Sequence, residues 1–350
     1  MSLITPTATY TAITHSDSES AGFILPDLFS DCHYPLRMNP HCHHVSRASE
    51  EWFFTEGHIV EPEITKFMGL RAGDLISGCY PDADAFHLRV CMDFLNWALK
   101  LDDDLLVVPD INVVWGIREC CMSAFRDPIN TQTENVYGKM CKSFFTCFRE
   151  TGGPRCTERF IRTMDLFFVA AAQEVDDRIK GRVFNLEYYI SLRRDISGCK
   201  PFFAFIEYTA QIDLPDEVML HPVIAAMEEA TNDYVSWSND ILSYNVEQSC
   251  HSTHNLVAVL MCEQRMDLQD AVDYACQLCK GTIQRFEDNR AILPSWGEEV
   301  DKQVAIYVQG MQDWMTSSLH WHFTSTRYLG KDGPTVKQSR IIELLPKMPL

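Results

Sequence analysis

The sequence predicts an all-α, single-domain helical bundle, and three features carry that expectation. Apolar residues recur at intervals of three and four along most of the chain, as one stripe of an α-helix requires. Alternation of strand type is rare and short. A hydrophobic fraction of 46% over 350 residues is enough to bury one large core. Breaks between helices are expected near Pro81, Pro109, Gly152 to Pro154, Gly198 to Pro201, Pro215, Pro294 and Gly330 to Pro334. That spacing leaves room for about ten helices and no sheet.

Taken in order, residues 1–22 are polar and Thr-rich and read as a loose segment without the basic-then-apolar pattern of a signal peptide. Phe23 to Asn39, with Pro26 and Pro35, reads as an irregular lead-in. Ser46, followed by Ser49, Glu50 and Glu51, reads as the opening of the first helix, with acidic residues where the helix dipole favours them. Helical stripes follow at Phe86, Val90, Phe94, Trp97 and Leu101, at Phe160, Met164, Phe167 and Phe168, and at Leu256, Val259 and Leu260. The bundle domain is expected over residues 23–335, with 336–350 as a C-terminal tail.

Composition excludes several function classes. Thirty basic against 49 acidic residues give a net charge of −19, which repels nucleic acid and anionic membranes. No apolar run reaches the ~18 residues of a membrane span, so no stable membrane insertion is expected. The 14 cysteines are scattered, many within apolar helical stretches such as Cys91, Cys141, Cys147, Cys262 and Cys276. They read as reduced, mostly buried thiols of a cytoplasmic protein. Cys276 and Cys279 form one C-x-x-C without a second pair, which disfavours structural zinc. Neither G-x-G-x-x-G nor a P-loop is present.

The chemistry concentrates in Asn239-Asp240-Ile241-Leu242-Ser243-Tyr244-Asn245-Val246-Glu247. Asn239, Ser243 and Glu247 stand four apart, and each step of four advances only about 40° around a helix. One face therefore carries an amide, a hydroxyl and a carboxylate, hard oxygen donors suited to Mg²⁺. Chance spacing on a polar face is the competing reading, but the surrounding residues are largely apolar. Asp102, Asp103 and Asp104 end another helix, at the terminus the dipole makes unfavourable for acids, and three adjacent acids call for a cation. Arg193-Arg194, before a helix break, and Arg327-Tyr328, before Gly330, can grip an anion through bidentate guanidinium bonds and a phenol.

With these residues in view, the sequence resembles the class I terpene synthase family, most closely the basidiomycete sesquiterpene synthases. Residues 239–247 match that family's second metal motif in full. Arg193 stands 46 residues upstream of Asn239, where the family carries a diphosphate-sensing Arg, and Arg327-Tyr328 matches its downstream Arg-Tyr pair. Phe23 to Leu28 and Asn39-Pro40-His41 also resemble the fungal group, so the likeness runs from about residue 23 to 330. It implies a helical bundle around a central active-site cavity and three Mg²⁺ ions held by Asp102, Asn239, Ser243 and Glu247. It also implies a prenyl diphosphate substrate gripped by Arg193, Arg327 and Tyr328, with the fifteen-carbon farnesyl diphosphate as the first expectation and another chain length as the alternative. Asp103, Asp104 and Arg194 are candidate helpers, and Phe94, Trp97, Trp314 and Trp321 are candidate aromatics facing a carbocation. The resemblance implies no nucleic-acid partner and sets no oligomeric state.

Two departures stand out. The Asp-rich motif reads Asp102-Asp103-Asp104-Leu105-Leu106, with Leu where its last acid usually stands, and Cys250-His251-Ser252 replaces a basic residue, Gly and Asp. Leu106 motivates an alternative reading as a catalytically impaired relic. A chain-elongating prenyltransferase is disfavoured because the second motif is not a second D-D-x-x-D. A zinc protein using His33, His41, His43 and His44 is disfavoured by their place in the lead-in.

Overall fold

The computed structural model describes residues 22–182 and 184–349. The expected loose segment therefore lies outside the described residues, apart from Gly22. Among the described residues, thirteen helices of eight residues or more make up the body. They are α1 (Cys42–Glu56), α2 (Glu63–Leu70), α3 (Ala72–Cys79), α4 (Ala85–Leu105), α5 (Ile111–Arg126), α6 (Val136–Thr151), α7 (Pro154–Ile179), α8 (Leu186–Ile196), α9 (Cys199–Ala210), α11 (Pro222–Ser249), α12 (Leu256–Glu263), α13 (Leu268–Ala291) and α14 (Glu298–His322), with the short α10 (Asp216–Met219) and α15 (Gly333–Ser339) besides.

The helix ends follow local chemistry. Asp84, Asp110, Asn135, Asn185, Asn255 and Asp267 each accept a backbone N–H from the first turn of the helix that follows. Pro154 and Pro222 sit at helix starts, where a missing N–H costs nothing. Gly198 takes φ +77°, a left-handed turn that lets α8 pass directly into α9.

Three expectations need correction. The first helix begins at Cys42 and not at Ser46, because Asn39 and His41 already make a turn: Asn39 Oδ1 accepts from the His41 N–H at 2.9 Å. Glu50 and Glu51 are thus mid-helix. A small sheet does exist: β1 (Gly22–Ile24) pairs antiparallel with β2 (Ile341–Glu343). At Gly22 a Cβ would meet the Ile342 carbonyl oxygen at 2.2 Å, so glycine is required for that approach. Finally, Cys262 is exposed, although nine of the 14 cysteines are buried and all are free.

The core between the helices is strongly aromatic. Phe94 of α4 stacks on Phe205 of α9 at 5.1 Å, and Phe145, Phe148 and Phe160 pack with ring centroids 5.1–5.3 Å apart. Each such ring buries large apolar area, and the pairs add about 0.5–1.5 kcal/mol each beyond burial. The longest helix, α11, packs between α13 and α14, and this central position carries Asn239, Ser243 and Glu247 into the bundle.

Candidate active site

α11 can run through the middle of the bundle because its residues from Ala230 to Asn245 are buried almost without interruption. Asn239 is fixed on three sides. Its Oδ1 accepts from Arg193 Nη2 at 3.1 Å, and its Nδ2 lies 2.9 Å from His322 Nε2 and 3.3 Å from the Tyr328 hydroxyl. His322 Nδ1 donates to the Ser318 carbonyl, which leaves Nε2 as an acceptor for the Asn239 amide. Burial pushes the His322 imidazole down to about 4, with Arg327 adding to the effect, so the ring is neutral.

Arg193, on α8, also donates from Nε to Asp240 Oδ1 at 3.1 Å. Burial works against its charge, but Asp240, Tyr189 and Glu247 together hold it well above the ordinary range. Asp240 in turn accepts from the Tyr189 hydroxyl and from the Leu256 N–H at 3.1 Å. It therefore ties α8, α11 and the start of α12 into one unit, and orients the guanidinium.

Across the cluster, at the end of α4, Arg327 Nη2 donates to Asp102 Oδ2 at 2.9 Å and lies 3.1 Å from Asp103 Oδ1. Its Nε donates to the Tyr328 hydroxyl at 3.0 Å. Since Tyr328 also meets Asn239, a continuous polar chain links Asp102 to the α11 motif. Arg327 keeps only 10% of its side chain exposed, whereas Asp102 keeps 54% and is open to a ligand.

Two candidate helpers lie elsewhere. Asp104 pairs with Lys100 at 2.7 Å and with the Tyr137 hydroxyl, on another side of α4 from Asp102. Arg194 turns away from Arg193: it forms a fork with buried Asp233, 2.7 Å on each arm, and a second pair with Glu229. Asp103 is drawn both to Arg327 and to Lys66, at 2.7 Å. Leu106 caps α4 from outside the cluster and is 54% exposed.

The four candidate aromatics are all at most 6% exposed. Phe94, Phe202 and Trp314 form a continuous run, with centroids 4.7 and 4.9 Å apart, and Trp97 stacks on Phe94 at 5.6 Å. Trp314 donates to the Tyr80 hydroxyl and Trp321 to the Leu70 carbonyl. The Trp97 indole N–H has no partner among the described residues.

The α11 donor set fits a hard cation. Ser243 Oγ has loose neighbours at 3.5 Å in the Asp240 carbonyl and Asn255 Nδ2, and it also bonds the Glu247 carboxyl. Glu247 has no ion pair among the described residues; its Oε2 accepts from Asn255 Nδ2 at 2.8 Å. Burial, and then the charge of Asp240, push its carboxyl up to about 7 against Asn255 and Arg193. A buried carboxyl so short of positive charge is stabilised by a divalent ion. No group of three or more His, Cys, Asp or Glu suited to a metal occurs among the described residues.

Sequence reasoning missed the supporting residues. Asp240 lies inside the motif and Asn255 in the Thr253-His254-Asn255 stretch, yet nothing in their spacing announces a clasp. Glu174, half-buried and with its carboxyl raised by that burial, and His254, 3.4 Å from it, flank the cluster without any local signal. His322 and Tyr189 likewise arrive from distant helices.

Residues 93–285 match the family described as terpene synthase family 2, C-terminal metal binding. The chain is 45% identical over 327 residues to Sesquiterpene synthase Agr1 of Cyclocybe aegerita, covering 93% of this chain and 94% of that one. It is 45% identical to Sesquiterpene synthase 1 of Postia placenta, covering 95% and 98%, and 42% identical to Alpha-muurolene synthase of Coprinopsis cinerea, covering 95% and 80%. Among solved structures, α-eudesmol synthase aligns with a TM-score of 0.77 at 20% identity, over 83% of this chain and 97% of that one. Germacradien-4-ol synthase from Streptomyces citricolor aligns at 0.72 and 22% identity, over 83% and 96%. The two structures share the helical fold, and the sequence relatives share nearly the whole chain. With a metal-binding family match over more than half its length, the chain belongs to terpene synthase family 2 and is a terpene cyclase that uses a divalent metal.

Proposed function

We propose that the protein is a sesquiterpene synthase that ionises farnesyl diphosphate with the help of three Mg²⁺ ions and cyclises the resulting cation. The observation that carries this reading is the polar chain from Asp102 through Arg327 and Tyr328 to Asn239 and Arg193, which gathers two metal motifs and two guanidinium groups around one site. When bound, Mg²⁺ supplies charge that stabilises the departing diphosphate. Asp102 on one side, and Asn239, Ser243 and Glu247 on the other, are the residues that would hold it.

Arg193 and Arg327 orient the diphosphate and offset its charge through bidentate bonds, the effect that matters most as the C–O bond breaks. Both are pre-positioned, by Asp240 and Tyr328, so little reorganisation is needed at that moment. The buried run of Phe94, Trp97, Phe202 and Trp314 excludes water and offers ring faces to an allylic cation, at about 0.5–2 kcal/mol for each ring.

The test is gas chromatography–mass spectrometry of product from farnesyl diphosphate, with and without Mg²⁺, beside geranyl and geranylgeranyl diphosphates. A cyclic fifteen-carbon product that requires Mg²⁺ is expected. A product only from another chain length overturns the substrate, and silence with all three overturns the enzyme reading in favour of the relic that Leu106 motivates.

A further inference from the structure

Glu247 lies two residues before the end of α11 at Ser249, in the kind of terminal turn that frays. No basic side chain stands in that last turn to meet its free carbonyls. Main chain from the far end of the sequence is there instead. Asn245, only 7% exposed, uses both ends of its amide: Nδ2 donates to the Glu343 carbonyl at 2.9 Å and Oδ1 accepts from the Leu345 N–H at 2.7 Å. Gln248 Nε2 donates to the Leu345 carbonyl at 2.8 Å. Met348 donates its N–H to the Ser249 carbonyl at 2.8 Å, and His251 Nε2 donates to the Met348 carbonyl at 2.7 Å. Upstream, the same segment is anchored by β2, whose Ile342 is buried against the core.

We propose that residues 343–348 form a strap that positions Glu247 for the metal, with Asn245 as the positioning residue. Asn245 stands between Ser243 and Glu247 in the motif, but its amide is engaged with the strap and with Gln248, on a different side of the helix from the Asn255 clasp. The strap satisfies the end of α11 from outside while Asn255 grips Glu247 from inside. A helix end held in this way has less conformational freedom left to lose when the ion binds, so its affinity is higher. The inference rests on the reading of Glu247 as a metal ligand.

The experiment compares the full chain with a variant ending at Ile342, with Asn245→Ala, with both changes together, and with Gln248→Ala as a milder probe. Two readouts are needed: amide exchange over residues 244–255 in EDTA, and Mg²⁺ titration in the presence of inorganic pyrophosphate, followed by thermal shift. Mg²⁺-dependent turnover of farnesyl diphosphate is measured in parallel. Exchange should quicken, and half-saturating Mg²⁺ should rise roughly tenfold in the truncated and Asn245→Ala proteins, the size expected from losing one or two buried hydrogen bonds. Turnover at saturating Mg²⁺ should stay within about threefold, since the barrier changes little once the ion is bound. Gln248→Ala should shift the same way by less, and the double variant should be no worse than the truncation. An unchanged half-saturation in variants of a protein that does respond to Mg²⁺ overturns the strap alone. So does a loss of maximal turnover that tracks a lower melting temperature. A full chain that shows no Mg²⁺ response with pyrophosphate overturns the metal-site reading, and the strap with it.

Discussion

Replacing Glu247 by Gln should stabilise the metal-free protein while destroying its activity. The carboxyl rises from an ordinary 4.5 to about 7 on folding, because burial and Asp240 outweigh Asn255 and Arg193. A group whose pKa is raised on folding costs nothing below its unfolded pKa. Stability is then lost as pH climbs from about 4.5 to 7, and the penalty is constant above that. A rise of this size corresponds to roughly 3 kcal/mol at pH 8. For a chain of this length that is a shift in melting temperature of roughly 4 °C. The Gln side chain keeps an oxygen to accept from Asn255, so the clasp survives and the charge alone is removed. The assay is thermal unfolding of both proteins in EDTA from pH 5 to 8.5. Glu228, also pushed up to about 7 by burial, and the buried His254 and His322 titrate in both proteins and cancel in the difference. The two curves should meet near pH 5 and separate as pH rises, with the variant on top. With Mg²⁺ and pyrophosphate added the order should reverse, since only the wild type gains a ligand. A variant that is less stable than wild type at pH 8 in EDTA, or a difference that does not change with pH, would refute the reasoning.

Three other outcomes are expected. Asn239→Ala should cut turnover at least a hundredfold, roughly the loss of one preorganised group at a developing charge, with helical circular dichroism intact; near-normal turnover would remove Asn239 from the metal site. Leu106→Asp should leave turnover within about tenfold, or about 1.4 kcal/mol of barrier, because position 106 is exposed beyond the end of α4 while Asp102 already faces Arg327; a large gain would show the site to be crippled as it stands. Arg194→Ala should lower stability by about 2 kcal/mol, measured by urea denaturation, because Asp233 is then left buried with Arg285 alone, and it should leave the Mg²⁺ dependence unaltered; a rise in half-saturating Mg²⁺ would return Arg194 to the site.

The helices and the face bearing Asn239, Ser243 and Glu247 were legible because both follow from spacing within a single helix. Arg193 and Arg194 show where that kind of reading stops. Adjacent residues on a helix point about 100° apart, so one of them meets Asn239 and Asp240 while the other forks onto Asp233, and only the packing of α8 decides which. The acids at the end of α4 divide in the same way: Asp102 and Asp103 reach Arg327, but Asp104 turns to Lys100 and Tyr137. Residues that act across the bundle, such as His322, Tyr189 and Asn255, carry no local mark because their partners are far away in sequence. The β1–β2 pair escaped notice for a like reason, since each strand is three residues long and neither alternates clearly on its own.

That strand pair also bears on the order in which the chain folds. Joining Gly22–Ile24 to Ile341–Glu343 closes almost the whole polypeptide into a ring, at an entropic cost of roughly 5 kcal/mol for a loop of some three hundred residues. A ladder of three residues cannot offset that unaided. It must wait until the helices between have packed and carried both ends to α13, where Gln269 exchanges hydrogen bonds with Ile24. A chain lacking residues 341–350 therefore leaves the Phe23 edge without its partner, and pairing there follows the packing of the helices.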